Sequence, residues 1–408
     1  MRHLRHLACV VFVALFAGCS ASTSGADASV GAGEGGGGGS SLGGGAGGGF
    51  DAGLPDAGTG GDAGVVTTTL VVKYAAGART LWVRGSVAPF DWNHGVPMQK
   101  QDDETWTLSV TTVSQDFEWK PLLDDQVWSK GPNWKAKPGV TTEVQPHFFR
   151  DNGEWTVRWP DFQSTILGNS RGVYVYLPPT YLENTAARLP VVYMHDGQNL
   201  FDPQAAFGGV TWRVAEAFDE AAGTGRFPEA IVVGPNNAGG DRIAEYTPTA
   251  DPRYGGGRGD LYLRMLVEEL KPRVDAELRT RPGRESTALI GSSLGGLISS
   301  YAGVKKPDVF GLVGAMSPST WWDNRVLLTF VGQTGATRPL RVYVDSGDSG
   351  PSNDGVTDTR DLANAYRALG YVDGVNFTYV VQAGATHTES AWASRLPGAL
   401  EALLGPGR

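Results

Sequence analysis

Thr287-Ala288-Leu289-Ile290-Gly291-Ser292-Ser293-Leu294-Gly295-Gly296-Leu297-Ile298 runs from a continuous apolar stretch through a Gly/Ser turn into a stretch of helical character that reaches Val304. The turn reads G-x-S-x-G about Ser293, because Ser292 fails the glycine spacing. A nucleophilic serine needs such a sharp strand-to-helix turn. Small flanking residues relieve the backbone crowding, and the helix N-terminus brings amides and a positive dipole end to a developing oxyanion. A Gly/Ser turn of no chemical meaning is the bland alternative, and the flanking strand and helix signals weigh against it.

Around this turn, strand-like and helical stretches alternate. Strands are predicted at 173–177, 190–195, 230–234, 287–291, 312–315, 340–345 and 377–382. Leu261, Met265, Leu266, Leu270, Val274 and Leu278 recur at helical spacing, and 362–369 and 391–403 also read as helices. Continuous apolar strands alternating with amphipathic helices predict an α/β domain over 165–408, with a mostly parallel central sheet covered on both faces.

The serine needs a base, and the chain holds six histidines. His3 and His6 lie in the N-terminal apolar segment, His94 and His147 in a β-rich front region, and His195 ends an early strand. His387 remains, after the last predicted strand and before the terminal helix, where the chain order Ser…acid…His puts the base. The loop after Val342-Tyr343-Val344 offers Asp345, Asp348, Asp354 and Asp358 as the acid that orients the imidazole. Asp354 is favoured because Ser352-Asn353-Asp354 leaves room for a turn before the next helix; Asp348 is the runner-up.

Ahead of this domain, residues 66–160 carry short β-branched and aromatic runs separated by Gly, Pro, Asn and Asp, which predicts a small all-β sandwich. Residues 19–65 are dominated by Gly, Ala, Ser and Asp and lack the apolar side chains needed to offset ordering entropy, so they read as a flexible linker. Residues 1–18 combine Arg2 and Arg5 with the apolar run from Ala8 to Ala17 and read as an export signal. Phe16-Ala17-Gly18-Cys19 resembles a bacterial lipobox, although Phe16 departs from the usual Leu. The resemblance implies lipidation at Cys19 and a membrane-anchored lipoprotein facing the periplasm or cell surface. Cys9 would leave with the signal, so no intramolecular disulfide is expected. Loss of Arg2 and Arg5 takes the formal charge from −9 to −11, and no basic block occurs elsewhere, so nucleic acid is excluded as a partner.

Three motifs together, Tyr193-Met194-His195-Asp196-Gly197-Gln198-Asn199-Leu200-Phe201-Asp202, Ser317-Pro318-Ser319-Thr320-Trp321-Trp322-Asp323 and the serine turn, resemble the esterase-D-like family over about residues 165–404. That group includes ferric enterobactin esterases, feruloyl esterases and mycolyltransferases. The resemblance implies that the amides of Gln198 and Leu294 form the oxyanion hole. It leaves His195 between a pocket wall and a plain strand-end histidine.

Phe90-Asp91-Trp92, Phe117-Glu118-Trp119-Lys120 and Trp128-Ser129-Lys130-Gly131-Pro132-Asn133 resemble the starch-binding modules of carbohydrate-binding families 20 and 48. This implies a stacking platform of Trp92 and Trp128, with Glu118, Lys120 and Asn133 as polar partners. The competing reading is that these tryptophans fill the sandwich core. A third reading has the front domain shape the esterase pocket.

The expected fold is an α/β-hydrolase behind a small all-β sandwich, and the expected function is a serine carboxylic-ester hydrolase acting on an acylated carbohydrate or similar ester through an acyl-enzyme, without metal or organic cofactor. Alternatives are a siderophore esterase, or a glycan-binding surface protein with a degenerate hydrolase domain.

Overall fold

The computed structural model describes residues 66–405. The segments 1–18 and 19–65, and Cys19 with them, lie outside the described residues. The described residues fall into one compact unit.

Its larger part is an eight-stranded sheet: β1 (Glu154–Ser164), β2 (Asn169–Leu177), β3 (Val191–Met194), β4 (Ile231–Pro235), β5 (Thr287–Ser292), β6 (Leu312–Met316), β7 (Arg341–Gly347) and β8 (Phe377–Gln382), in the order β1-β2-β4-β3-β5-β6-β7-β8. The sheet is mixed. The strands from β4 to β8 in that order run parallel, while β2 is antiparallel to both its neighbours. Every residue of β3, β4, β5 and β6 is buried, so strands covered on both faces read as unbroken apolar runs.

Among the described residues the longer helical stretches on the sheet are α1 (Val214–Thr224), α2 (Gly259–Arg264, Met265–Leu270 and Lys271–Glu277 in succession), α3 (Leu294–Lys305), α4 (Trp322–Gly332), α5 (Val356–Ala368) and α6 (Glu389–Leu404). Period-two alternation of the strands divides the core. Val191, Tyr193, Leu289, Val313 and Val344 pack against α2, α3, α4 and α5, whereas Val192, Met194, Ile290, Met316 and Tyr343 pack against α1 and α6. On α6, Leu396, Leu400 and Leu403 are fully buried, each contributing about 1.5–3 kcal/mol relative to exposure.

The front part is two layers. Gln99–Lys100, Thr105–Val110, Thr68–Lys73 and Thr141–Val144 form one sheet; Val96–Pro97, Leu81–Gly85, Phe117–Leu123, Val127–Trp128 and Trp134–Ala136 form the other. Trp106, Trp119 and Trp134 fill the core between them. The boundary differs from the expected one at residue 160: β1 pairs with β2 from Glu154 opposite Leu177 to Ser164 opposite Asn169, so the large sheet begins at Glu154. Most of β1 is exposed, so its sequence lacks the apolar run that marks its neighbours. Glu183 fastens the two parts together, its carboxylate accepting from the Tyr74 hydroxyl and from the amides of Phe148, Phe149 and Arg150.

Candidate active site

Ser293 sits between β5 and α3 with φ 58° and ψ −122°, a strained conformation for a residue with a side chain. The turn is held by the Ser293 amide donating to Met316 O at 3.0 Å and by Ser293 O accepting from Ser319 N at 2.9 Å. A Cβ at Gly291 would lie 2.6 Å from His195 Cδ2 and 2.7 Å from the Gly295 carbonyl carbon, so glycine is required there. The Ser293 hydroxyl is 3.4 Å from that of Ser319.

His387 Nδ1 lies 2.6 Å from Asp354 Oδ1. An ionised carboxylate only accepts, so Nδ1 carries the proton and Nε2 is the nitrogen left for Ser293. Asp354 is buried. Burial pushes its carboxyl up, but bonds from His387, Ser317 and the Gly347 amide hold it below the ordinary carboxylate range. Of the two aspartates the sequence left in play, Asp348 lies elsewhere: it accepts from the Gly384 amide at 2.7 Å.

The Asp196-Gly197 turn carries Gln198. Asp196 adopts a left-handed conformation, φ 56°, and its carboxylate takes a bidentate pair from Arg242 at 2.7 and 2.8 Å and a bond from Asn237 Nδ2 at 2.7 Å. Burial opposes ionisation of Asp196, but Arg242 and Asn237 leave it below the usual range. A Cβ at Gly197 would fall 2.0 Å from Gly234 O, which explains the glycine after the aspartate. The helical turn Arg242–Glu245 is itself anchored, because buried Arg171 on β2 grips Glu245 at 2.8 and 2.9 Å. Among the described residues neither the Gln198 nor the Leu294 amide has an acceptor, as two donors reserved for a substrate oxygen require.

His195 is buried behind this turn, its Nδ1 2.9 Å from the Tyr262 hydroxyl. Burial lowers its pKa to about 3, so the ring is neutral. It is a packing residue against Gly291, which removes it from acid–base candidates.

Ser293, His387, Gln198, Asn237, Arg242 and Glu389 line one cavity of about 380 Å³. Among the described residues no front-part side chain lines it, so the idea that the front domain shapes this pocket is not borne out. Burial raises the Glu389 carboxyl above its ordinary range. The sequence did not mark Glu389, Trp392 or Arg395, and it marked Ser317 only as the first residue of a family motif. Trp392 packs edge-on against His387, ring centres 4.8 Å apart, and its Nε1 donates to Ser317 Oγ at 3.0 Å.

In the front part, Trp92 and Trp128 lie outside the sandwich core. Their ring centres are 6.2 Å apart at 41°, and Trp128 is 38% exposed. Asn133 Nδ2 donates to Glu118 Oε2 at 3.0 Å, and Lys120 Nζ donates to Gly131 O. Arg84, which the sequence did not mark, lies 5.2 Å from the Trp128 ring centre and donates to the Trp92 carbonyl.

Residues 164–403 match the family model described as "Putative esterase". The chain belongs to this esterase family. The esterase is 28% identical over 257 residues to an uncharacterized protein of Bacillus subtilis, YbbA, covering 59% of this chain and 95% of that relative. It is 32% identical over 159 residues to an iron(III) salmochelin esterase of Escherichia coli O6:H1, covering 38% of this chain and 34% of the relative. A solved ferulic acid esterase is similar with a TM-score of 0.49 and 21% identity, over 62% of this chain and 100% of its own. The protein is a carboxylic-ester hydrolase.

Proposed function

We propose that the esterase works as an α/β-hydrolase through Ser293, His387 and Asp354, with the amides of Gln198 and Leu294 as the oxyanion hole. The observation that carries this is the 2.6 Å contact of His387 Nδ1 with buried Asp354, His387 itself lining one cavity together with Ser293. His387 Nε2 takes the Ser293 proton as Oγ attacks the ester carbonyl, and the two amides meet the oxyanion. The imidazolium then protonates the leaving alcohol. Water, deprotonated by the same nitrogen, releases the acid from the acyl-serine. A fluorophosphonate reagent should label one residue, Ser293, read by peptide mass; labelling at another serine would overturn the assignment.

For the substrate, we propose an uncharged acyl or feruloyl ester on a carbohydrate. A relative is an iron(III) salmochelin esterase, but a ferric siderophore of net negative charge needs uncompensated cations. Among the described residues the one arginine lining this cavity, Arg242, is already paired with Asp196, and Glu389 adds a carboxyl. Neutral feruloyl and acetyl esters should therefore be hydrolysed at least about tenfold more efficiently than ferric catecholate esters, the scale of one unfavourable charge contact. Higher kcat/KM on the ferric ester would reverse the choice.

The outer face formed by Trp92, Trp128, Glu118, Lys120 and Asn133 is proposed as a sugar platform. Support comes from the exposure of Trp128 and from a core filled by three other tryptophans. Trp128→Ala should weaken retention on insoluble starch, a stacked ring being worth about 0.5–1.5 kcal/mol beyond the area it buries. Wild-type protein that starch, xylan and cellulose all fail to retain would reject the platform. We also propose that the export-signal-like segment 1–18 and the lipobox-like Cys19 tether the enzyme by lipid outside the cytoplasm.

A further inference from the structure

We infer that Arg395, on the buried face of α6, is a positioning residue that orients Ser317 and through it keeps Asp354 in the state His387 needs. This rests on the Ser293, His387 and Asp354 reading.

Arg395 is a buried cation shared by two buried carboxylates. Its Nε is 3.0 Å from Asp345 Oδ2, and one terminal nitrogen is 3.7 Å from Asp354 Oδ2. That same nitrogen donates to Ser317 Oγ at 2.9 Å, and the other donates to Gln382 Oε1 at 3.0 Å. Ser317 Oγ also accepts from Trp392 Nε1 at 3.0 Å. Arginine and indole nitrogens only donate, so both lone pairs of this hydroxyl are taken and its single proton has one place to go. It goes to Asp354 Oδ2, 2.6 Å away. Oδ2 receives a second bond from the Gly347 amide, leaving Oδ1 for His387. Arg395 thus fixes which oxygen of Asp354 faces the imidazole. It also ties the helix that follows the base to the strand and loop that hold the acid.

The charge matters as much as the geometry. Burial pushes the Asp345 carboxyl upward, against the pull of Arg395. Without the guanidinium, Asp345 and Asp354 would both be buried with no cation in contact, and the cluster would take up a proton. The charged or titratable groups facing His387 and Asp354 are Asp345 and Tyr343 on β7, Arg395 and Glu389 on α6, and Asp196 with Arg242 across the pocket. Removing the one cation next to Asp354 makes the His387 and Asp354 pair hold its proton more tightly. The acid limb of the rate profile then moves to higher pH.

The test is the pH dependence of kcat and kcat/KM on a neutral aryl ester, with full-length wild type, Arg395→Gln, Arg395→Lys, Ser317→Gly and Asp354→Asn. Glycine replaces Ser317 because its φ is 39°. Arg395→Gln should lose roughly 10- to 100-fold in kcat, the scale on which outer-shell partners act, with KM nearly unchanged and the acid limb displaced upward. Arg395→Lys keeps the charge and should return the limb toward wild type. Ser317→Gly should move the limb the same way by less. A folded Arg395→Gln with wild-type kcat and an unmoved limb overturns the inference; such a residue would merely anchor α6. If that variant does not fold, an unmoved limb in Ser317→Gly overturns it instead. Wild-type activity in Asp354→Asn would sink the underlying triad reading. Loss there, with unmoved limbs in the other variants, would sink the role of Arg395 alone.

Discussion

Replacing Ser293 with Ala should lower kcat on a short-chain aryl ester by on the order of 10⁵-fold or more, with little change in KM or thermal stability. The size follows from what is removed. Without Oγ there is no acyl-enzyme, and His387 has no proton to take, so the remaining help is the oxyanion pair and binding. The stability forecast comes from the surroundings: among the described residues the hydroxyl's hydrogen-bond contact is with Ser319, at 3.4 Å, and Ala is no more strained than Ser at φ 58°. The turn is held by main-chain bonds that the substitution leaves in place. Turnover that survives in Ser293→Ala would refute the nucleophile assignment.

How much of this was legible in the sequence depends on how locally each feature is written. The serine turn was legible because its glycine is enforced by a neighbour: at Gly291 any side chain would collide with His195 and Gly295. The same is true of Gly197, pressed against the Gly234 carbonyl. His387 was reachable because chain order and elimination left one candidate. The choice between Asp354 and Asp348 was not closed by spacing, since both lie in one loop and only its path decides which carboxylate reaches the imidazole. Strand β1 was missed because it is an exposed edge with shifts in register, and period-two burial is weakest there.

Arg395 is the instructive omission. Trp392, Leu396, Ala399, Leu400 and Leu403 form the buried stripe of α6, and Arg395 falls inside that stripe. A cation at an apolar-stripe position signals a buried partner, but the partners, Asp345 and Asp354, stand 50 and 41 positions earlier. Only the closed sheet brings them together. In the front part, exposure separated the tryptophans: Trp106, Trp119 and Trp134 fill the core and Trp128 does not, a distinction that residue type alone cannot make.

Asp354→Asn should cost about 10⁴-fold in kcat, the scale of a base held in the wrong tautomer. The amide has one acceptor atom for a site that now supplies three donors. Gly347 N–H and the Ser317 hydroxyl point at Oδ2, and His387 Nδ1–H points at Oδ1. If the amide oxygen keeps the first two, its NH₂ group faces Nδ1 and forces the imidazole proton onto Nε2, which can then no longer accept from Ser293. If the amide flips, NH₂ opposes two buried donors, at about 1–3 kcal/mol for each group left unpaired. Either way the rate falls, and stability falls in the second case. Asp348→Asn keeps an oxygen for the Gly384 amide and should stay within about threefold of wild type. The pH dependence of stability gives an independent reading. The Asp354 carboxyl is held below its ordinary value of 3.8 in the fold. Its contribution is therefore present above that value and is lost as pH falls through the lower folded value. Thermal melts of wild type between pH 5 and pH 2 should lose this contribution, and Asp354→Asn, having no proton to take up there, should show a shallower decline. Equal slopes, or activity in Asp354→Asn beside inactivity in Asp348→Asn, would transfer the acid's role to the other end of the loop.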